Sequence, residues 1–259
     1  MQQAKQQFRH IVITGASSGI GAALALRYAA SGVRLGLTGR DEARLTQVAQ
    51  DCRAMGAEVI TKIIDVTARE ALGEWLLQLD EAQVIDLVIA NAGISAGMGG
   101  KGENPEQVRK LFDVNVQGVF NTIDPILPRM MERGRGHIAL MASLAGFRGW
   151  PGAPAYCASK AAVKSYGEGL RGAIAHTGVN VHVICPGFVK SRMTAVNKFK
   201  MPMLMEADKA AEIIAHGIEK NKGRIAFPLP VYFMMWLVAS LPDAIAGKIL
   251  RAMPAKGSF

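Results

Sequence analysis

Thr14-Gly15-Ala16-Ser17-Ser18-Gly19-Ile20-Gly21 restricts this chain more than any other stretch. An apolar run, His10-Ile11-Val12-Ile13-Thr14, leads into it, and a stretch with helical spacing, Ala22 to Ser31, leads out. A short apolar run that stops at glycine reads as a buried parallel strand, covered on both faces. A glycine-rich turn from such a strand into a helix lets backbone approach a ligand closely. It also points free N–H groups and the positive end of the helix dipole at one spot, which suits a pyrophosphate. The turn is therefore read as a dinucleotide site made by Gly15, Ser17, Ser18, Gly19, Ile20 and Gly21, against the plainer reading of a ligand-free turn. Its spacing is GxxxGxG, not GxGxxG.

The pattern then repeats. Val33–Thr38, Val59–Ile64 and Val84–Ala90 read as strands, separated by helical stretches Asp41–Met55 and Ala68–Leu79. This βαβαβαβ alternation predicts a doubly wound α/β fold of Rossmann type, a parallel sheet with helices on both faces. Further on come a long helix at about Pro105–Glu132, a strand at His137–Met141, a helix at Pro154–His176, a strand at Val179–Cys185 and a helix at Ala207–Lys220. No shift in composition divides these pieces, so 1–259 reads as a single domain. Residues 9–187 form the core, 188–224 a substrate loop and helix, and 225–259 an apolar, proline-punctuated tail.

Composition narrows the function classes. Half the chain is hydrophobic and 20% is charged, which excludes intrinsic disorder. Three cysteines, widely spaced and without a CxxC pair, argue against a disulfide scaffold or a cysteine zinc site and fit a reducing compartment. The five histidines show no HExxH spacing, so no metal is expected. The first ten residues are polar and lack the apolar core of a signal peptide, and no run reaches about 18 apolar residues. A cytoplasmic location is expected. The net charge of +9 invites a nucleic-acid reading, but the basic residues are scattered and aromatics are only 6%. Surface charge with an attraction for anionic ligands or lipid headgroups is the better account, with no nucleic acid as partner.

The end of the second strand reads Thr38-Gly39-Arg40. An acid at the Gly39 position would bind a ribose 2′-OH, whereas Arg40 can pair with a 2′-phosphate. The cofactor expected is NADP(H), with Ser17 as a further phosphate contact; Asp41 reads as a helix cap. Tyr156 and Lys160 lie four apart on one helical face. A free phenol has a pKa near ~10, and a neighbouring ammonium favours its phenolate, so Tyr156 can exchange a proton with a carbonyl oxygen. Ser143 follows a strand and can orient that oxygen. Cys157 has no partner histidine and reads as a small buried filler. Proline and glycine at Pro186-Gly187 let the backbone pass a ligand closely.

Thr14-Gly15-x-x-x-Gly19-x-Gly21, Asn91-Ala92-Gly93, Ser143, Tyr156-x-x-x-Lys160 and Pro186-Gly187, in this order, resemble the short-chain dehydrogenase/reductase family over about residues 9–220. The resemblance implies about seven strands. It implies that Asn115, Ser143, Tyr156 and Lys160 are the catalytic set, with Lys160 holding the nicotinamide ribose and Asn115 a water. It implies that Asp65 and Val66 contact the adenine, that Asn91, Ala92 and Gly93 lie along the cofactor, and that Pro186, Gly187 and Val189 orient the nicotinamide. It also implies a homo-oligomer, a dimer or tetramer, joined through the Asn115 and Tyr156 helices.

Substrate choice is expected in Ile94–Lys101, Ala145–Pro154 and Phe188–Met205, where Phe147, Trp150, Phe188, Met193, Met201 and Met203 would build an apolar wall. The methionines read equally well as a lid packed on the core. The run Val231–Ala239 is apolar all round, and Lys248, Arg251 and Lys256 follow beside Ile249, Leu250 and Met253. Two readings stand: packing in the core or a subunit contact, and a monotopic contact with the inner face of a membrane. The expectation is NADP(H)-dependent interconversion of a ketone and a secondary alcohol, favouring reduction of a hydrophobic or acyl-chain carbonyl. A non-catalytic NADP-binding scaffold and a membrane-surface lipid-binding protein are the alternatives.

Overall fold

In the computed structural model, which describes residues 8–95, 103–195 and 201–252, the apolar runs become strands. They are β1 (His10–Thr14), β2 (Arg34–Gly39), β3 (Glu58–Ile63), β4 (Leu87–Ala90), β5 (Gly136–Met141), β6 (Val179–Pro186) and β7 (Arg224–Phe227). The seven strands form one sheet in the order β3-β2-β1-β4-β5-β6-β7, with every neighbouring pair parallel. Ile11 stands opposite both Leu35 and Leu87, and all of β1 is buried, as expected for a strand covered on both faces.

The helices are α1 (Gly19–Tyr28), α2 (Glu42–Ala54), α3 (Arg69–Ala82), α4 (Pro105–Phe112), α5 (Gly118–Ile123), α6 (Leu127–Arg133), α7 (Pro154–Ala173), α8 (Arg192–Ala195), α9 (Ala207–Glu219), α10 (Leu229–Ser240) and α11 (Asp243–Ala252). Leu24, Leu45, Val48 and Ile214 pack α1, α2 and α9 on one face. Leu72, Leu76, Ile123, Met130 and Val163 pack α3, α5, α6 and α7 on the other. The strand order turns back between β1 and β4, and that switch point opens a crevice at the carboxyl ends of the strands. Asp41 caps α2 as expected, accepting from Arg44 N at 3.0 Å.

The structure corrects several boundaries. The single helix expected over Pro105–Glu132 is three helices, with a π turn over Asp113–Gln117. Pro125, which has no N–H to continue the ladder, falls in the turn before α6. The helix expected to begin at Ala22 begins at Gly19 and takes in the last two glycines of the turn. The helix expected to reach His176 ends at Ala173, and a short turn runs on to Gly178 in the left-handed region at φ +77°. The tail supplies β7, α10 and α11, which the proline spacing had masked. Met253 and Lys256 lie outside the described residues, as does the side chain of Arg251, and so do residues 96–101 and 196–200 of the expected substrate loops. Among the described residues no helix is long and apolar enough to cross a membrane.

Candidate active site

The glycine turn lies against the end of β4. Gly15 has φ +67°, and a Cβ there would come within 2.8 Å of Ala92 Cα. At Gly21 a Cβ would come within 2.3 Å of the Gly15 carbonyl oxygen. Only residues without side chains let the two loops meet this closely. Thr14 Oγ1 accepts from the N–H groups of Asn91 and Ala92, each at 3.2 Å. Asn91 Nδ2 donates back to the Thr14 and Gly15 carbonyls at 2.9 and 3.2 Å. Asn91 thus braces the turn from across the switch point. Ser18 caps α1 without a side-chain hydrogen bond, and the first turn carries no acidic residue. The amino end of α1 is therefore left for an anion, and the cradle fits the pyrophosphate of a dinucleotide.

From this cradle a cleft of about 1270 Å³ extends in both directions. Gly15, Ser17, Ser18, Gly19 and Ile20 line it, whereas Gly21 is buried behind them. One arm is lined by Gly39, Arg40, Asp65 and Val66. A Cβ on Gly39 would come within 3.1 Å of Ser17 Cβ and Oγ, so a larger residue there would have to displace the Ser17 side chain. Arg40, 55% exposed, pairs with Asp65 at 3.4 Å. Burial acts to raise the Asp65 carboxyl, but hydrogen bonds from Thr67 and the Arg40 charge outweigh it and hold it below the usual carboxylate range. Arg44, fixed to Asp41 at 2.7 Å, adds a second guanidinium to this arm, which the sequence reading did not single out.

The other arm is lined by Asn91, Ala92, Gly93, Ser143, Tyr156, Lys160, Pro186, Gly187 and Val189. Tyr156 and Lys160 come from the first turns of α7, and Ser143 from the turn after β5. Burial pushes the Tyr156 phenol up, and a hydrogen bond with Ser143 opposes the rise. Lys160 Nζ donates to the Met141 carbonyl at 2.8 Å. Burial pushes its ammonium down to about 8. Ser143 Oγ also donates to the Pro186 carbonyl at 3.4 Å and accepts from Ala145 N at 3.1 Å, which joins β5 to β6 beside the cleft.

Asn115 is buried in the π turn behind the cleft wall. Its Oδ1 accepts from Ile94 N at 2.8 Å, while its Nδ2 donates to Ile94 O at 3.0 Å and to Ser159 Oγ at 3.1 Å. It clamps the loop after β4 to α7. The turn's widened geometry aims an inward polar side chain that a regular helix would place elsewhere.

Besides Arg44, two further features escaped the sequence reading. Glu103 caps α7: its carboxylate accepts from Ala155 N at 2.6 Å and from Tyr156 N at 3.0 Å. The apolar wall also differs. Trp150, Phe188 and Met193 line the cleft, but Met203 is 53% exposed. Phe147 packs instead against Tyr232, beneath Lys164 and Arg224. Val231, Met234 and Met235 of α10 complete the wall. All three cysteines are free and buried, and among the described residues no cluster of His, Cys, Asp or Glu converges as a metal site.

A family model described as short chain dehydrogenase matches residues 9–201. An uncharacterized oxidoreductase of Myxococcus xanthus is 41% identical over 251 residues, covering 96% of this chain and 99% of that one. A short-chain dehydrogenase from Sphingobium yanoikuyae in complex with NADPH is 26% identical with a TM-score of 0.79, covering 97% of this chain and 98% of that one. A short chain dehydrogenase/reductase from Burkholderia phymatum in complex with NAD is 26% identical with a TM-score of 0.82, covering 95% and 97%.

Proposed function

The chain belongs to the short-chain dehydrogenase family of oxidoreductases, and we propose that it uses NADP(H) to interconvert a ketone and a secondary alcohol, chiefly reducing hydrophobic or acyl-chain carbonyl compounds. The observation that carries this reading is the convergence of Tyr156, Lys160 and Ser143 on one cleft with the glycine cradle. Gly15, Ser17, Ser18, Gly19 and Ile20 would hold the cofactor's pyrophosphate, and Arg40 with Ser17 and Arg44 its 2′-phosphate. Structures of relatives carry NADPH in one case and NAD in another, so the preference rests on Gly39 and Arg40. When bound, the nicotinamide supplies or takes a hydride.

The chain's own residues manage the proton. Burial keeps the Tyr156 phenol protonated at neutral pH, so it is ready to donate to a carbonyl oxygen. Ser143, already bonded to that phenol, orients the oxygen. The Lys160 ammonium, one turn along α7, stabilises the phenolate left behind. In the oxidative direction the same groups accept the alcohol proton. Trp150, Phe188 and Met193 with the α10 side chains form a wall that suits a greasy substrate.

Tyr156→Phe is expected to lower NADPH oxidation with a panel of aliphatic, steroid and acyl-chain ketones by at least ~100-fold. NADPH binding, followed by fluorescence, should stay nearly unchanged. Retained turnover would remove the catalytic role. Equal efficiency with NADH, or an Arg40→Ala variant that keeps its NADPH preference, would remove the phosphate assignment.

A further inference from the structure

Helix α10, Leu229–Ser240, has no charged residue, and its two sides face different surroundings. Met235 and Val238 are buried, and Val231, Met234 and Met235 line the cleft. Leu229, Phe233, Trp236 and Leu237 recur at i, i+4, i+7 and i+8 and are 59%, 59%, 52% and 56% exposed. Met234 is 42% exposed and also lines the cleft, so the outer stripe runs into the substrate wall. A stripe of this kind on the surface marks a site that something apolar covers.

We propose that α10 docks on the surface of an anionic lipid bilayer and presents the substrate arm of the cleft to it. This rests on the reading of the cleft as the site of an acyl-chain carbonyl. Charge selects this occupant. On α11, which packs on Val238 through Ala246 and Leu250, Asp243 is neutralised by Arg148. Lys248 is exposed and has no ion pair among the described residues, near Ile245 at 50% exposure. The chain as a whole carries +9. A second copy would bring the same sign, whereas an anionic bilayer brings the opposite one. Aromatic and leucine side chains beside lysine, on a helix too short to span, suit insertion to the depth of the headgroups.

The helix is also fixed to the catalytic region. Arg224 donates to Tyr232 Oη at 3.2 Å and holds Glu168 of α7 at 2.5 Å, and Tyr232 packs edge-on against Phe147 at 5.6 Å between centroids. Docking would therefore orient the whole cleft rather than bend a loop.

The test is co-sedimentation of the full chain with phosphatidylcholine vesicles, with and without about 30% phosphatidylglycerol. A Phe233→Ser/Trp236→Ser/Leu237→Ser variant is run beside the wild type. The wild type should sediment with the anionic vesicles, and the variant's bound fraction should fall at least about tenfold. NADPH-dependent turnover of a short soluble ketone should match in the two proteins. If the triple variant does not fold, the wild-type Trp emission should shift to the blue on anionic vesicles and fail to shift in Trp236→Tyr. No binding to anionic vesicles would overturn the proposal. So would a homodimer that depends on the stripe without vesicle binding. Vesicle binding with no ketone turnover in either protein would support docking and count against the reductase reading.

Discussion

Burial moves two ionisable groups of α7, Tyr156 and Lys160, toward neutrality from opposite sides. The phenol of Tyr156 is raised and the ammonium of Lys160 is lowered to about 8. The proposed mechanism needs a protonated Tyr156 and a charged Lys160, and the lowered Lys160 value confines that state to pH below about 8. Ketone reduction is expected to fall as the pH rises through that value, and Lys160→Met should lower the rate and flatten this limb in a pH–rate profile. The same shift costs stability. The cost is fully present below about 8 and is relieved as the pH approaches the ordinary 10.5, because over that window the unfolded chain binds the extra proton. Thermal unfolding of wild type and Lys160→Met should therefore converge as the pH rises. Tyr156 and Lys160 stood out in the sequence as a pair four apart on one helix and Ser143 as a residue after a strand, and all three line one cleft. Asn91 and Arg44 were less legible, since their roles depend on loops meeting across the sheet: Asn91 was expected along the cofactor, yet its amide braces the glycine turn.

At the scale of elements, the sequence read well wherever a single period held. Strands β1 and β2 and helix α2 lie close to where the apolar runs place them. It failed over 105–132, where helical spacing continues through a π turn that periodicity does not register. Glu103 was equally hidden, because a lone acid in a loop has no pattern until α7 is placed beside it. Its two hydrogen bonds fix the first turn of the helix that carries Tyr156. Glu103→Gln, which removes the charge from the helix amino end, is expected to cost about 1 kcal/mol in denaturant unfolding. It should also lower kcat more than it raises KM. Unchanged kcat at reduced stability would leave Glu103 with a purely structural role.

Across the whole molecule, the alternating pattern predicted the parallel sheet, and family resemblance the number of strands. The sequence did not show what joins β5 to β6 at the end far from the cleft. There the rings of His137 and His182 stack at 5.2 Å, with Nδ1 of the first 3.0 Å from Nε2 of the second. Lys222 O lies 2.8 Å from His182 Nδ1, and Phe8 closes over His137. Burial holds both imidazoles down to about 4, with Asp86 opposing the shift at His137 and Arg171 adding to it at both. Between about 4 and the ordinary 6.5 the unfolded chain binds protons that the folded chain refuses, so stability falls as the pH drops through this window. The melting temperature should drop by several degrees from pH 7 to pH 5, and His182→Asn should lose much of that slope.

β7 pairs with β6 along Val183–Pro186, so the apolar C-terminal segment begins as an outer strand of the sheet before it becomes a helix. A chain cut before Arg224 would leave β6 with an unbonded row of N–H and C=O groups, a template for any other extended segment it meets. Such a truncation would report on aggregation before it reported on anything the tail binds.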